Sequence, residues 1–239
     1  MADRQQSQEG GAGPGGPPAA GSAVLFSGGL DSAVLLAAER RDHALVWPVH
    51  VRSGLAWEDA EARVIDGLLA AAPFAGQVQP LTTIAVDMRD VYPRTHWAVA
   101  GQAPAYATPD EDVYIEGRNI ILISKAAVLC ARLGADRLVL GPLAGNPFPD
   151  ATGAFFETMG RALSLGLNRR LDVAAPFSRL HKEDVIALGL ALGVPLERTL
   201  SCMNPIDDRH CGQCSKCRER QDAFRAAGGA DPTVYVHSR

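Results

Sequence analysis

Apolar residues along this chain fall alternately into short runs and into helical spacings. Ala23-Val24-Leu25-Phe26 is an unbroken apolar run suited to a buried strand, and the turn Ser27-Gly28-Gly29-Leu30-Asp31-Ser32 leads from it into a helical stretch, Ala33 to Arg40. Leu45 to Val51 predicts a second strand, Trp57 to Leu69 a helix, and Leu81 to Asp87 a third strand. In Arg118 to Leu133, the residues Ile121, Leu122, Ala126 and Leu129 form one apolar helical face. Gly134 suits the C-cap of that helix, and Arg137 to Gly141 reads as the next strand. A helix from Phe155 to Leu165, a strand from Leu171 to Val173 and a helix from Lys182 to Leu192 follow, the last ended by Gly193 and Pro195. Strands alternating with helices of this length predict an α/β fold: a parallel sheet with helices on both faces.

Two stretches break the pattern. Residues 1–20 are rich in Gly, Pro and Gln and have almost nothing to bury, which predicts a disordered tail. Residues 88–112 are polar, aromatic and proline-containing with little periodicity, which predicts a long loop.

Composition narrows the function. The net charge of −4 comes without a basic stripe, so no direct nucleic-acid partner is expected. No window is apolar for the ~18–20 residues a membrane span needs, and the N-terminus lacks the basic start and apolar core of a secretory signal. Of five cysteines, four lie within residues 202–217. That clustering reads as metal binding in a reducing compartment, so the cytoplasm is the expected location.

The glycine turn carries the first chemistry. Between the first strand and first helix of an open α/β sheet, S-G-G-x-D-S brings backbone N–H groups, a helix N-terminus and the hydroxyls of Ser27 and Ser32 toward one anion. Phe26, Ser27, Gly28, Gly29, Leu30, Asp31 and Ser32 are therefore the expected phosphate-binding residues, with Asp31 orienting the loop or helping to hold magnesium. The Gly-Lys-Ser/Thr ending of a Walker A loop and the G-x-G-x-x-G of a dinucleotide fold are both absent. A ligand-free β-turn with a Ser or Asp cap is the plainer alternative.

The cysteine pattern is the second. Cys202, Cys211, Cys214 and Cys217 follow C-x8-C-x2-C-x2-C, and four thiolates close a tetrahedral Zn(II) site with no position left for water. One structural zinc per chain is expected. An iron–sulfur cluster is the rival, though the fourth cysteine is not followed by proline. Cys130 stands apart on the apolar side of a helix and is expected only to pack.

The glycine turn resembles the PP-loop of the ATP pyrophosphatases, which cleave ATP between the α and β phosphates and place AMP on a substrate oxygen. Together with G-R-N at 117–119, P-x5-K at 176–182 and S-C…C-G-x-C-x-x-C-x-x-R, it resembles the QueC family of 7-cyano-7-deazaguanine synthases from Ala23 to Pro232. The resemblance implies an adenine-nucleotide α-hydrolase-like fold divided into a tail (1–20), an ATP-binding domain (21–200) and a zinc-binding segment (201–239). It also implies a homodimer. The implied substrates are ATP with Mg(II), 7-carboxy-7-deazaguanine and ammonia, and the implied product is 7-cyano-7-deazaguanine (preQ0), a precursor of queuosine-type bases. The acid would be adenylated, ammonia would give an amide, and a second ATP would activate that amide for dehydration. Asp31, Arg118 and Lys182 would then be catalytic and Asn119 would bind nucleotide. Left to the residues alone, Arg118-Asn119 has the plainer alternative of a helix start with a solvated arginine, and Lys182 that of a surface lysine.

Two stretches depart from the family pattern. Residues 51–57 read V-R-S-G-L-A-W where the family has Y-G-Q-x-H, and residues 144–152 read A-G-N-P-F-P-D-A-T where it has D-x-S-G-Y-P-D-C-R. Asp150, with Asn146 nearby, is the expected contact to the deazaguanine edge; the alternative is that Asp150 caps the helix at Phe155. The departures also leave open an enzyme that adenylates a different acceptor, another carboxylic acid or a protein terminus.

Overall fold

The structure is a computed structural model and describes residues 21–237. The expected tail, residues 1–20, lies outside the described residues. Five strands make one sheet: β1 (Gly21–Leu25), β2 (Leu45–Arg52), β3 (Thr82–Ala85), β4 (Arg137–Val139) and β5 (Asp172–Ala174). They are ordered β3-β2-β1-β4-β5, and every neighbouring pair is parallel. Ala23 pairs with Trp47 on one side and Leu138 on the other. The chain thus builds outward from β1 in one direction, then returns and builds in the other. Where the order reverses, between β1 and β4, the loops at the carboxyl ends of the strands part and leave a crevice.

Burial on both faces explains why β1 reads as an unbroken apolar run. Val24 and Phe26 pack into a core with α1 (Leu30–Asp42), α2 (Glu58–Leu69) and α6 (Lys182–Ala191). Ala23 faces the opposite core with α4 (Arg118–Leu133) and α5 (Gly153–Gly166). Two layers of helix around a parallel sheet are therefore present, as the alternation predicts. At the other end of the sheet Ser22 Oγ donates to the buried Glu39 carboxylate at 2.6 Å, and Arg137 Nε reaches the same carboxylate at 3.2 Å.

The differences from the sequence reading have local causes. α1 starts at Leu30, three residues before the expected Ala33, because the turn residues Asp31 and Ser32 already form its first turn. The stretch 88–112 is a long loop for most of its length, as expected, but a packed one that contains a short helix. Met88, Tyr92 and Ala98, the last in the short helix α3 (Trp97–Ala100), pack with Leu55, Trp57 and Ile115, and the Trp57 and Trp97 rings stack at 5.7 Å. Aromatic packing without period gives a folded segment that no helix or strand pattern announces. The last helix, α7 (Ser215–Ala226), has no apolar stripe because one of its inward positions is Arg220. It nevertheless sends Ala223 and Phe224 into the core beside α1 and α6.

Candidate active site and metal centre

The glycine loop lies at the crevice. Gly28 has φ +74°, and a side chain there would meet Ile65 of α2 at 3.0 Å, so a residue other than glycine would be both strained and crowded. Ser32 Oγ donates to the Gly29 carbonyl at 3.0 Å and accepts from the Ser27 backbone N–H at 3.3 Å. Gly29 N–H points to Ser27 Oγ at 3.3 Å. These bonds curl the loop over the N-terminus of α1, a geometry suited to an anion.

Charge gathers on the β4 side of the loop. Lys182, first residue of α6, brings Nζ within 3.1 Å of Asp31 Oδ2 and also pairs with Glu219 of α7. Lys216 Nζ lies 2.5 Å from the other oxygen of Glu219. Burial opposes ionisation of Lys182, but the Asp31 and Glu219 carboxylates outweigh it and raise the lysine pKa. Burial would likewise raise Glu219, yet the two ammonium groups hold it at about 2. Lys182 and Glu219 are therefore both charged at neutral pH. Asp31 Oδ1 is buried with no hydrogen-bond partner, an oxygen free for a cation.

Gly117 (φ +70°) turns the chain into α4 and starts it with Arg118 and Asn119. The Asn119 backbone N–H donates to Asp150 Oδ2 at 3.0 Å, and its side-chain amide donates to the Asp150 carbonyl oxygen at 3.0 Å. Thr152, not Asp150, caps α5, accepting from Phe155 N–H at 3.2 Å. Asp150 thus does not cap the helix at Phe155, as the alternative reading had it, but receives the N–H of Asn119 at the start of α4.

Two cavities open from this arrangement. One, of about 310 Å³, runs from the loop across the ends of β1 and β2 to Arg118 and Asn119. The other, of about 430 Å³, lies between residues 141–148 and α7. Asp31, Asn146, Phe148, Lys182 and Lys216 line both, while Asp150 lines neither. Sequence reasoning missed four polar residues here: His50 and Glu61, which line the first cavity, Glu219, which lines the second, and Lys216, which lines both. Glu61 is 8% exposed, and its pKa is pushed up to about 8, mainly by burial and further by Glu58, against the opposing pull of Arg118. No short motif carries these four; they sit on three separate elements.

The four clustered cysteines meet. Their sulfurs all lie within 4.8 Å of one another, with Cys202–Cys214 at 3.8 Å, Cys211–Cys217 at 3.9 Å and Cys214–Cys217 at 3.5 Å. Bonds of about 2.3 Å to one tetrahedral ion put sulfurs about 3.8 Å apart. The spacing therefore fits a single metal ion. A cluster of several irons, which sits between its ligands, would hold them farther apart. Backbone N–H groups of Asn204 and Cys211 point at Cys202 Sγ, and that of Gln213 at Cys211 Sγ, each at 3.3 Å, which favours thiolates. Cys130 is separate and buried, and burial pushes its thiol up to about 12.

The metal segment touches the loop directly. Leu200 N–H donates to the Gly28 carbonyl at 2.9 Å, and Ser201, Cys202 and Met203 line the loop cavity. Arg220, 1% exposed, bonds Leu196 O at 2.7 Å, Thr199 Oγ1 at 2.9 Å and Thr233 Oγ1 at 2.6 Å. It clasps both sides of the metal segment to α7.

Comparison with known proteins agrees with this arrangement. The family described as "Queuosine biosynthesis protein QueC" matches residues 21–228. The 7-cyano-7-deazaguanine synthase of a Nitratiruptor species is 32% identical over 225 residues, covering 89% of this chain and 97% of that protein. That of Methanopyrus kandleri is 34% identical over 240 residues, covering 89% and 97%. Among solved structures, a 4-thiouridine synthetase in complex with RNA and bound ATP overlays with a TM-score of 0.48 at 19% identity, covering 90% of this chain and 47% of that one. No helix among the described residues is long and apolar enough to cross a membrane.

Proposed function

The chain belongs to the QueC family, and on that premise we propose that it converts 7-carboxy-7-deazaguanine, ammonia and ATP to 7-cyano-7-deazaguanine, forming a C–N bond in queuosine-type biosynthesis. The observation that carries the reading is the match of residues 21–228 together with a glycine loop, Asp31 and Lys182 opening on one crevice. In the first half-reaction the acid oxygen attacks the α-phosphorus of ATP and pyrophosphate leaves. Ammonia then displaces AMP, giving the amide. A second ATP is cleaved in the same way by the amide oxygen, and loss of AMP and a proton leaves the nitrile.

The residues have separate tasks in this scheme. Phe26 to Ser32 hold the β and γ phosphates through backbone N–H groups and the two hydroxyls, so the leaving pyrophosphate is bound as charge develops on it. Lys182 neutralises that charge, and Asp31 orients the lysine while its free oxygen accepts the magnesium that accompanies ATP. Arg118, with its Nε buried and unpartnered in the loop cavity, meets an anionic or carbonyl oxygen of the ligand. Asn119 sets the start of α4 through Asp150. Asn146, lining both cavities, is the polar group that residues 144–152 offer to the deazaguanine. Cys202, Cys211, Cys214 and Cys217 hold one structural zinc, which supplies cross-linking and no chemistry because four thiolates fill it.

Incubation with ATP, magnesium, ammonium and 7-carboxy-7-deazaguanine tests the reaction. Mass spectrometry should show the amide and then the nitrile, with AMP and pyrophosphate released. ADP and phosphate as sole products would remove the PP-loop chemistry. AMP formation only with another acid or a protein terminus would assign a different acceptor.

A further inference from the structure

Beneath the glycine loop one buried group has no part in the chemistry above. His50, 2% exposed on β2, places Nδ1 3.1 Å from the carbonyl oxygen of Phe26, the residue that leads into the loop. A carbonyl oxygen only accepts, so the ring proton sits on Nδ1. Burial lowers the pKa of the ring most; the Phe26 carbonyl and Glu58 oppose it, and Arg52 and Arg118 add to it, so the imidazole stays neutral. Its Nε2 then carries a lone pair. That atom is buried and has no hydrogen-bond partner, yet His50 lines the loop cavity together with Ser27, Glu61 and Arg118. A buried acceptor left unpaired is costly, and a ligand that brings a donor relieves the cost.

We propose that His50 Nε2 accepts a hydrogen bond from the nucleoside of bound ATP, which makes His50 a determinant of nucleotide choice. The inference rests on the reading that this cavity takes ATP. The phosphates of ATP carry no donor at neutral pH, whereas its nucleoside carries an exocyclic amine and two ribose hydroxyls. His50 and Ser27 line the same cavity and the His50 ring bonds the Phe26 carbonyl, so the ring lies close to the loop that would hold the phosphates. A nucleotide with a carbonyl where adenine has its amine would set an acceptor against that lone pair, and such a mismatch discriminates strongly.

Two substitutions separate the ring's two ends. His50→Asn keeps an N–H for the Phe26 carbonyl and removes the outer acceptor, whereas His50→Gln places an amide oxygen near the position of Nε2. By calorimetry with ATP and no acceptor substrate, His50→Asn should bind about tenfold more weakly than wild type, and His50→Gln should recover most of the loss. Inosine triphosphate, 2′-deoxyATP and 3′-deoxyATP identify the donor. The analogue lacking it should lose about tenfold on wild type and nothing further on His50→Asn. Wild-type affinity in His50→Asn, or full additivity with all three analogues, overturns the proposal and leaves the lone pair to a buried water. Wild type that binds no ATP overturns the nucleotide reading itself, a separate outcome. If His50→Asn does not fold, isotope-labelled histidine in wild type decides the matter by NMR. The Nε2 resonance should be that of an unprotonated nitrogen and should move on ATP addition; an unmoved or protonated Nε2 rejects the assignment.

Discussion

The backbone N–H of Leu200 donates to the carbonyl of Gly28 at 2.9 Å, so the chain that delivers the first cysteine thiol is bonded to the second residue of the phosphate loop. The four-cysteine cluster and the glycine-loop cavity share a wall. Holo-protein should contain about one zinc per chain and be colourless. Chelation should weaken ATP binding by about tenfold or more, and hydrogen exchange should quicken at 199–217 and at 26–29 together. Faster exchange confined to the cysteines, with ATP affinity unchanged, would show that the bond transmits nothing. Iron and sulfide in a brown protein would replace the single-ion assignment.

Asp31 and Lys182 form the second test. Asp31→Ala should lower turnover at least about tenfold, equivalent to ~1.4 kcal/mol of transition-state stabilisation. Lys182→Met leaves Asp31 without its cation while Glu219 keeps Lys216, so the loss should fall on kcat more than on folding. Rapid-quench measurement of AMP formation checks both, and an unaffected rate would take the residue out of the reaction.

Glu61 predicts a pH slope in stability. Its folded pKa of about 8 lies above the ordinary 4.5, so the folded state holds a proton that the unfolded chain releases. The contribution to stability is therefore greatest below about pH 4.5 and falls as pH rises to about 8. Glu61→Gln should remove that slope and gain stability over wild type near pH 8, on the order of a few kcal/mol, since each pKa unit is about 1.4 kcal/mol. Denaturant unfolding of both proteins between about pH 5.5 and 8.5 measures the difference, with zinc-dependent effects common to both. Parallel curves would mean that Glu61 is ionised in the folded protein.

Asp150 is the expectation that the geometry redirects. Its carboxylate serves the Asn119 N–H at 3.0 Å and lines neither cavity. Asp150→Ala should cost about 1 kcal/mol of stability as a lost helix cap and raise the KM values for ATP and for the acid by similar factors. A rise confined to the acid would restore it as a substrate contact.

Legibility from the sequence followed the locality of the signal. The glycine loop and the cysteine cluster each lie within sixteen residues, and α4 between Gly117 and Gly134 has the predicted bounds, because short-range spacing and backbone preference determine them. His50, Glu61, Lys216 and Glu219 were not legible, since they are ordinary polar residues on three separate elements until the crevice collects them. α7 was hidden by Arg220, whose buried guanidinium occupies the place of an apolar residue. Asp150 stands out in the sequence as a polar residue near a substrate loop, but its partner is thirty-one positions away.

Lys216 sits between two of the clustered cysteines and also lines both cavities. The C-terminal piece is therefore not an interchangeable staple. A chimaera that borrowed this stretch from a relative would import part of that relative's cavity lining along with its cysteine cluster, and drift at the residue between the cysteines would alter the crevice as well as the fold.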